Sequence, residues 1–259
     1  MIDKPFIPGE NSGEQQELPR EIEAKIVNLG DPQQFLERLN ALGAEPIGER
    51  RLLSDRSFRK SDMLENNSEV PFSLEEINNR DKLKEMFRFL GIEIVSETED
   101  GELIVRTSKG AKTRMVRLRQ DTGKMLFTVK ETRKNKEGID NRVELETELP
   151  EDSSIIELLN SVGYIVKSQK EKYRTTFALD GCKVELNEGP AGTPWAEIEA
   201  DSEEKVLEIA QRLGYDQTDL KGMSDTDYYK LKNPELTQEE LDYMTFARMQ
   251  SKREAEPSE

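Results

Sequence analysis

The segment Arg20-Glu21-Ile22-Glu23-Ala24-Lys25-Ile26-Val27 constrains the fold more than any other stretch of this chain. Charged and apolar residues alternate in it with a period of two, the pattern of a strand. Glu21, Glu23 and Lys25 fall on one face; Ile22, Ala24 and Ile26 fall on the other. Two carboxylates and an ammonium on one strand face are costly to bury without partners or ions. The fold must leave that face in water or bring other charges to it.

The same alternation recurs along the chain. Strands are expected at Pro46 to Arg59, Ile92–Val95, Leu103–Arg106, Arg114–Gln120, Met125–Glu131, Arg142–Leu149, Val166–Leu179, Cys182–Leu186 and Trp195–Ala200. Asp100-Gly101, Asp121-Thr122-Gly123 and Asp180-Gly181 read as hairpin turns. Helices are expected after Asp31-Pro32, with Phe35, Leu36, Leu39 and Leu42 as the apolar stripe, and over 73–90, with Ser73 and Glu76 as a capping box. Further helices are read from Ile155 to Val162, over Glu203–Leu213, near Asp225–Leu231 and over Gln238–Gln250. Residues 1–18 read as a loose polar leader, 61–72 as a loop and 251–259 as a disordered tail. About eight main strands joined mostly by tight turns favour an α+β fold built on an antiparallel sheet, closed as a barrel.

Composition excludes several chemistries. The chain has no histidine, so Ser-His catalysis, His-zinc sites and imidazole acid–base work are out. The single Cys182 rules out an intramolecular disulfide and points to a reducing, cytoplasmic setting. Any metal must be held by oxygen, which suits Mg²⁺, Mn²⁺ or Ca²⁺. A net charge of −16 argues against broad nucleic-acid or anionic-membrane binding, and no apolar run is long enough to span a bilayer.

The charges sort by strand. Arg117 and Arg119 share a face, as do Lys172 and Arg174, with Tyr173 and Phe177 opposite the latter. Lys130 lies opposite Phe127 and Val129. Arg142, Glu144, Glu146 and Glu148 line one face, Lys183 and Glu185 another, and Glu197 and Glu199 flank Ile198. A solvated sheet face explains such alternation but not the ordering of types. Acidic pairs sit in the first and last strands, and basic residues in the third, fourth and sixth. In a closed sheet the apolar face packs outward under the helices and the charges line one cavity. A polyphosphate with a divalent metal fits that cavity chemically.

These residues resemble the CYTH domain, or triphosphate tunnel metalloenzyme family. Glu21-Ile22-Glu23-Ala24-Lys25 is similar to its N-terminal Glu-x-Glu-x-Lys signature, Arg117-Leu118-Arg119 to its Arg-x-Arg strand, and Thr128-Val129-Lys130-Glu131 to its fourth-strand lysine. Arg142-Val143-Glu144-Leu145-Glu146, Lys172-Tyr173-Arg174, Trp195-Ala196-Glu197-Ile198-Glu199 and the Ser224 to Leu231 helix with Tyr228 and Tyr229 resemble its later motifs, in order. The resemblance spans roughly 20–232. It implies an eight-stranded tunnel domain at 19–232 with an insertion at 61–112, followed by a C-terminal helix at 233–250. It implies Mg²⁺- or Mn²⁺-dependent action on triphosphates. Lys25, Arg117, Arg119, Lys130, Arg142, Lys172 and Arg174 would cradle phosphates, with Lys25, Lys130 and Arg142 catalytic. Glu21, Glu23, Glu144, Glu146, Glu197 and Glu199 would ligate metal, with Glu185 a further member. Asp55-Arg56-Ser57-Phe58 matches the family's second strand only in part, leaving Asp55 and Arg59 as weak candidates, and Lys183 reads equally as a solvated charge. The insertion reads as decoration.

The reaction implied is hydrolysis of inorganic triphosphate or an organic triphosphate such as thiamine triphosphate or a nucleotide. A class IV-type adenylate cyclase is the alternative, but the His-Phe pair typical of that branch is missing, and Leu18-Pro19 stands there instead. A non-catalytic polyphosphate- or nucleotide-binding module is the second alternative, disfavoured by the retained glutamate pairs. Lys25→Ala or Arg119→Ala is expected to abolish activity with folding nearly intact. The expected partner is a small-molecule triphosphate; the oligomeric state, monomer or homodimer, is not readable.

Overall fold

A computed structural model of the chain describes residues 20–61, 69–107, 114–121, 123–131 and 139–255. The leader at 1–18 and the turn residue Thr122 lie outside them. In chain order the elements begin with β1 (Arg20–Ile26), α1 (Pro32–Ala41), β2 (Glu45–Pro46), β3 (Arg51–Lys60), β4 (Val70–Ser73), α2 (Arg80–Leu90), β5 (Ile92–Glu97) and β6 (Glu102–Thr107). There follow β7 (Met115–Asp121), β8 (Lys124–Glu131), β9 (Asp140–Leu149), α3 (Ile155–Ser161), β10 (Tyr164–Leu179), β11 (Cys182–Glu188), β12 (Pro194–Ala200) and α4 (Glu203–Arg212). The last are β13 (Leu220–Lys221), α5 (Asp225–Lys232), α6 (Gln238–Asp242), β14 (Tyr243–Met244) and α7 (Phe246–Ala255). No helix among the described residues is long and apolar enough to cross a membrane.

The fold is α+β, built on one large sheet. Its strands run in the order β11-β12-β1-β9-β8-β7-β3-β10-β14, with β13 on β1, β2 on β10 and a further pairing of β10 with β11. All pairs are antiparallel except β10 with β14. The sheet has eleven strands where about eight were expected, because β2, β13 and β14 are two-residue additions. At 16 residues β10 is long enough to serve two neighbours: Tyr164 to Arg174 pairs with β3, and Tyr173 to Leu179 with β11. Asp180 and Gly181 turn β10 into β11 with φ of 49° and 81°, a conformation that glycine adopts without cost and aspartate tolerates.

Apolar strand residues face outward under the helices. Ala24, Ile26, Val184, Leu186, Ala196 and Ile198 pack beneath α1 and α4 through Phe35, Leu39, Val206 and Ile209. Val116, Leu118, Phe127, Val129 and Leu145 pack beneath α2 and α3 through Leu83, Met86, Phe87, Ile155 and Leu159. Trp195, Tyr228, Tyr229, Leu241, Met244 and Met249 form a third cluster where α5, α6 and α7 meet the sheet.

Four local expectations change. The strand expected from Pro46 to Arg59 is split, with β2 ending at Pro46 and β3 starting at Arg51 around Gly48 at φ 75°. The loop expected at 61–72 ends in β4, which pairs with β6. The helix expected over 73–90 starts only at Arg80. Ser73 ends β4 and its hydroxyl accepts from Glu75 N–H at 3.0 Å, Glu76 turns to φ 61°, and Asn79 caps the helix instead by accepting from Lys82 N–H at 3.2 Å. The helix over Gln238–Gln250 is broken by β14 into α6 and α7, because Tyr243 and Met244 join β10, and α7 continues to Ala255 into the expected tail. The insertion packs onto the large sheet: β4, α2, β5 and β6, of which the three strands form a small sheet in the order β4-β6-β5, supply Phe72, Leu83, Phe87, Leu103 and Val105 to the core that covers β7, β8 and β9. Cys182 is buried.

Candidate active site

The concave face of the large sheet encloses a cavity of about 800 Å³. It is lined by twelve basic and ten acidic side chains in a chain of net charge −16. Every candidate from the sequence except Arg142 lines it: Lys25, Arg117, Arg119, Lys130, Lys172 and Arg174 among the cations, Glu21, Glu23, Glu144, Glu146, Glu185, Glu197 and Glu199 among the carboxylates. Arg142 sits opposite Glu21 in the β9–β1 register; its side chain lies outside the described residues. Glu148, on the same face of β9, pairs with Lys124 at 2.8 Å in solvent and is not part of the site.

The wall has two poles, set by strand order. Four adjacent strands, β11, β12, β1 and β9, present the glutamates. Three others, β7, β3 and β10, present Arg117, Arg119, Arg51, Arg59, Lys170, Lys172 and Arg174. Period-two alternation on each strand aims these side chains inward while their neighbours pack outward.

At the acidic pole, Lys130 Nζ lies 2.5 Å from Glu21 Oε2 and pairs also with Glu144. Burial, then the neighbouring Glu144 carboxyl, pushes the Glu21 carboxyl above its ordinary range, against the pull of Lys130. Glu199 is pushed up by burial, with Glu21 and Glu185 adding to it against Lys183. Thr128 donates to Glu146 at 2.8 Å, and Arg117 lies 3.5 Å and 3.6 Å from Glu144 and Glu146.

At the basic pole, Arg119 grips Asp55 with two bonds, at 2.7 Å and 3.0 Å. Burial alone would raise the Asp55 carboxyl, but Arg119 and Arg117 outweigh it and hold it well below the usual range. Arg174 reaches three groups: Asn187 Oδ1 at 2.8 Å, Glu197 Oε2 at 2.7 Å and Glu185 Oε2 at 2.5 Å. Glu197 also pairs with Lys25 and accepts from Trp195 Nε1 at 3.1 Å.

Asp225, at the start of α5, was missed in the sequence. Its two oxygens meet Lys25 Nζ at 3.0 Å and Lys172 Nζ at 2.9 Å. Nothing marked it apart from an ordinary first-turn acid behind the cap Ser224, whose hydroxyl accepts from Asp227 N–H. Asp55, a weak candidate in the sequence, is a full member of the site. Lys183 belongs to the lining and pairs with Glu199, and its side chain is still 41% exposed.

The donor types, though not their present arrangement, suit a polyanion and a divalent cation. Arg117 Nε and Arg114 Nε are buried and donate to nothing among the described residues, so the basic side holds unused donors. The crowded carboxyls of Glu21, Glu144 and Glu199 are all-oxygen donors that a divalent cation would relieve. Among the described residues no three carboxylates already stand as a metal cluster, because each is turned toward an ammonium or guanidinium.

No family model matches the chain, and no curated protein is significantly similar to it in sequence. Solved structures are similar. The PH1012 protein of Pyrococcus horikoshii aligns at a TM-score of 0.52 and 19% identity, over 79% of this chain and 96% of that one. A conserved hypothetical protein of Pyrococcus furiosus aligns at 0.52 and 17%, over 79% and 97%. A Vibrio parahaemolyticus protein carrying a provisional adenylate cyclase name aligns at 0.51 and 16%, over 81% and 97%. At such identities the likeness establishes the fold, and the fold of this chain is of the CYTH type that its motifs resemble.

Proposed function

We propose that the chain hydrolyses triphosphates with the help of a divalent metal inside an eight-stranded tunnel. The pairing of β10 with both β3 and β11 supports closure, since it joins β11, at one end of the strand path, to β10, the eighth strand along it. The observation that carries the reading is the cavity lining itself, where twelve basic and ten acidic side chains, mostly from the strands of one sheet, converge and pair with one another. Buried ion pairs are a poor route to stability, and a cleft full of them is a candidate site on physical grounds.

In this reading Arg117, Arg119, Lys172 and Arg174, with Lys25 and Arg142, hold the phosphoryl oxygens, the arginines in bidentate fashion. Glu21, Glu23, Glu144, Glu146, Glu185, Glu197 and Glu199 are the groups that would hold Mg²⁺ or Mn²⁺. Such an ion neutralises phosphoryl charge and acidifies a water nucleophile. Lys130, between Glu21 and Glu144, is placed to follow charge onto the phosphoryl oxygens as the bond breaks. Binding exchanges partners: each internal ion pair gives way to a cation–phosphate and a carboxylate–metal contact.

Phosphorus NMR with tripolyphosphate or ATP, each with Mg²⁺, Mn²⁺ or chelator, tests this. The expected result is metal-dependent conversion of tripolyphosphate to pyrophosphate and phosphate. Pyrophosphate with cyclic AMP from ATP would make it a cyclase. Metal-independent signal shifts without turnover would make it a binding module.

A further inference from the structure

Granted the phosphate reading of the cavity, we propose that Asp225 is a built-in competitor for anions, which α5 lodges on Lys25 and Lys172 and which a polyphosphate must displace.

Lys25 stands on β1 and Lys172 on β10, strands that are not neighbours in the sheet. Their ammonium groups nonetheless converge on one carboxylate, each taking one oxygen, at 3.0 Å and 2.9 Å. Two cations from separate strands bridged by two oxygens of one anion is the contact a phosphoryl group would make there. Both lysine side chains are 6% exposed, whereas that of Asp225 is 21% exposed. The lysines are thus fixed in the wall, and the carboxylate comes from outside it, on a helix that packs over one end of the cavity through Tyr228 and Tyr229 against Trp195. The Trp195 ring lies 5.2 Å from Lys172 and 6.0 Å from Lys25, so the two ammonium groups share one apolar floor. Lys25 has Glu197 as a second carboxylate partner; the hydrogen-bonded carboxylate of Lys172 is Asp225. An anion arriving at Lys172 therefore meets a site already filled by the chain's own acid.

Isothermal calorimetry of tripolyphosphate in chelator, without metal, tests this with wild type, Asp225→Asn, Asp225→Ser and the exposed-surface control Glu204→Gln. Near-UV circular dichroism checks that each is folded. Removing one negative charge a few ångströms from a bound polyanion should tighten binding by on the order of tenfold in both Asp225 variants. Glu204→Gln, which makes the same change in net charge far from the cavity, should leave affinity unchanged. If Asp225 only pins α5 in place, the folded variants bind equally or more weakly, and the competitor role is overturned while the phosphate site stands. If wild type neither binds nor hydrolyses tripolyphosphate with or without metal, the phosphate reading fails and the competitor role falls with it.

Discussion

The same ion pair occurs twice in this molecule, in two settings. Arg119 on β7 grips Asp55 on β3 at 2.7 Å and 3.0 Å; Arg106 on β6 grips Glu93 on β5 at 3.0 Å and 3.0 Å. Both pairs stand directly opposite in an antiparallel register. The side chains of the first are 10% and 12% exposed, those of the second 41% and 47%. The geometry is shared and the surroundings are not. In the small three-stranded sheet, β4-β6-β5, the apolar residues Leu103 and Val105 face the core and the charges face water. In the large sheet the apolar residues face outward under helices, and the charges face a cavity. A desolvated pair depends on its partner, because a charge left alone there has no water to turn to; an exposed pair does not.

The sharpest break is Arg119→Ala. It should abolish triphosphate turnover, and it should also lower unfolding free energy by about 3–5 kcal/mol, because Asp55 is then buried without its partner. The near-intact folding expected from the sequence thus gives way once burial is known. Denaturant unfolding and phosphate release measure the two effects separately. The double variant Asp55→Ala/Arg119→Ala should regain much of the stability and none of the turnover; a double variant that turns over substrate would make Arg119 a purely structural residue.

Phe87→Ala should do the reverse. Phe87 is fully buried, edge-on to Phe72 at 5.6 Å and to Phe127 at 6.4 Å, and does not line the cavity. Truncation should cost about 3–5 kcal/mol through the void it leaves. The KM and kcat for tripolyphosphate, measured well below the melting temperature, should not change. A large fall in kcat would mean that the inserted lobe reaches into the site through β8.

Much of this was legible in the sequence, and the reason is the period of two. Alternation fixed which residues share a face on β1, β7, β9 and β12, and so it grouped the charges before any strand was paired. It could not say which face meets water, since Glu93 and Arg106 alternate as regularly as Glu144 and Glu146. That difference comes from the pairing of the strands around the cavity and from helices that cover the outside. Asp225 was illegible for another reason: its partners are 200 and 53 residues away, and its helix carries no periodic signal toward the cavity. Asp55 was a weak candidate because Asp55-Arg56-Ser57-Phe58 matches the family's second strand only in part, though Leu53 and Phe58 both reach the core. The start of α2 was misplaced because a serine followed by acids reads alike as a capping box and as a turn leaving a strand.

The third prediction separates the pairs by pH. The Asp55 carboxyl is held below its ordinary value in the folded chain by Arg119 and Arg117, against burial. A depressed folded pKa contributes stability above the unfolded value, about 3.9, and loses it as pH falls toward the folded one. The stability gap between wild type and Asp55→Asn should therefore be constant from pH 7 down to near pH 4, then shrink as acid is added. Glu93 is also held low, by its bonds to Arg106. Its gap should have the same sign, be much smaller, and close in high salt, where an exposed pair is screened. A gap at Asp55 that closes in salt as readily as that at Glu93 would mean that the cavity admits bulk solvent.

The smallest effect should come from Arg106→Ala. The guanidinium also lies 3.8 Å from Glu69, so three exposed charges share the outer face of the small sheet. Water solvates Glu93 and Glu69 when the cation is removed, and the fork holds two long side chains in one conformation at an entropic cost. The melting temperature should stay within the scatter of repeated wild-type scans, and turnover should be untouched. A clear drop in melting temperature would show that the charged face of the small sheet is covered in solution, by another part of the chain or by a second copy. The likeness between the two arginine pairs would then extend from geometry to environment, and burial would no longer separate the site from the surface.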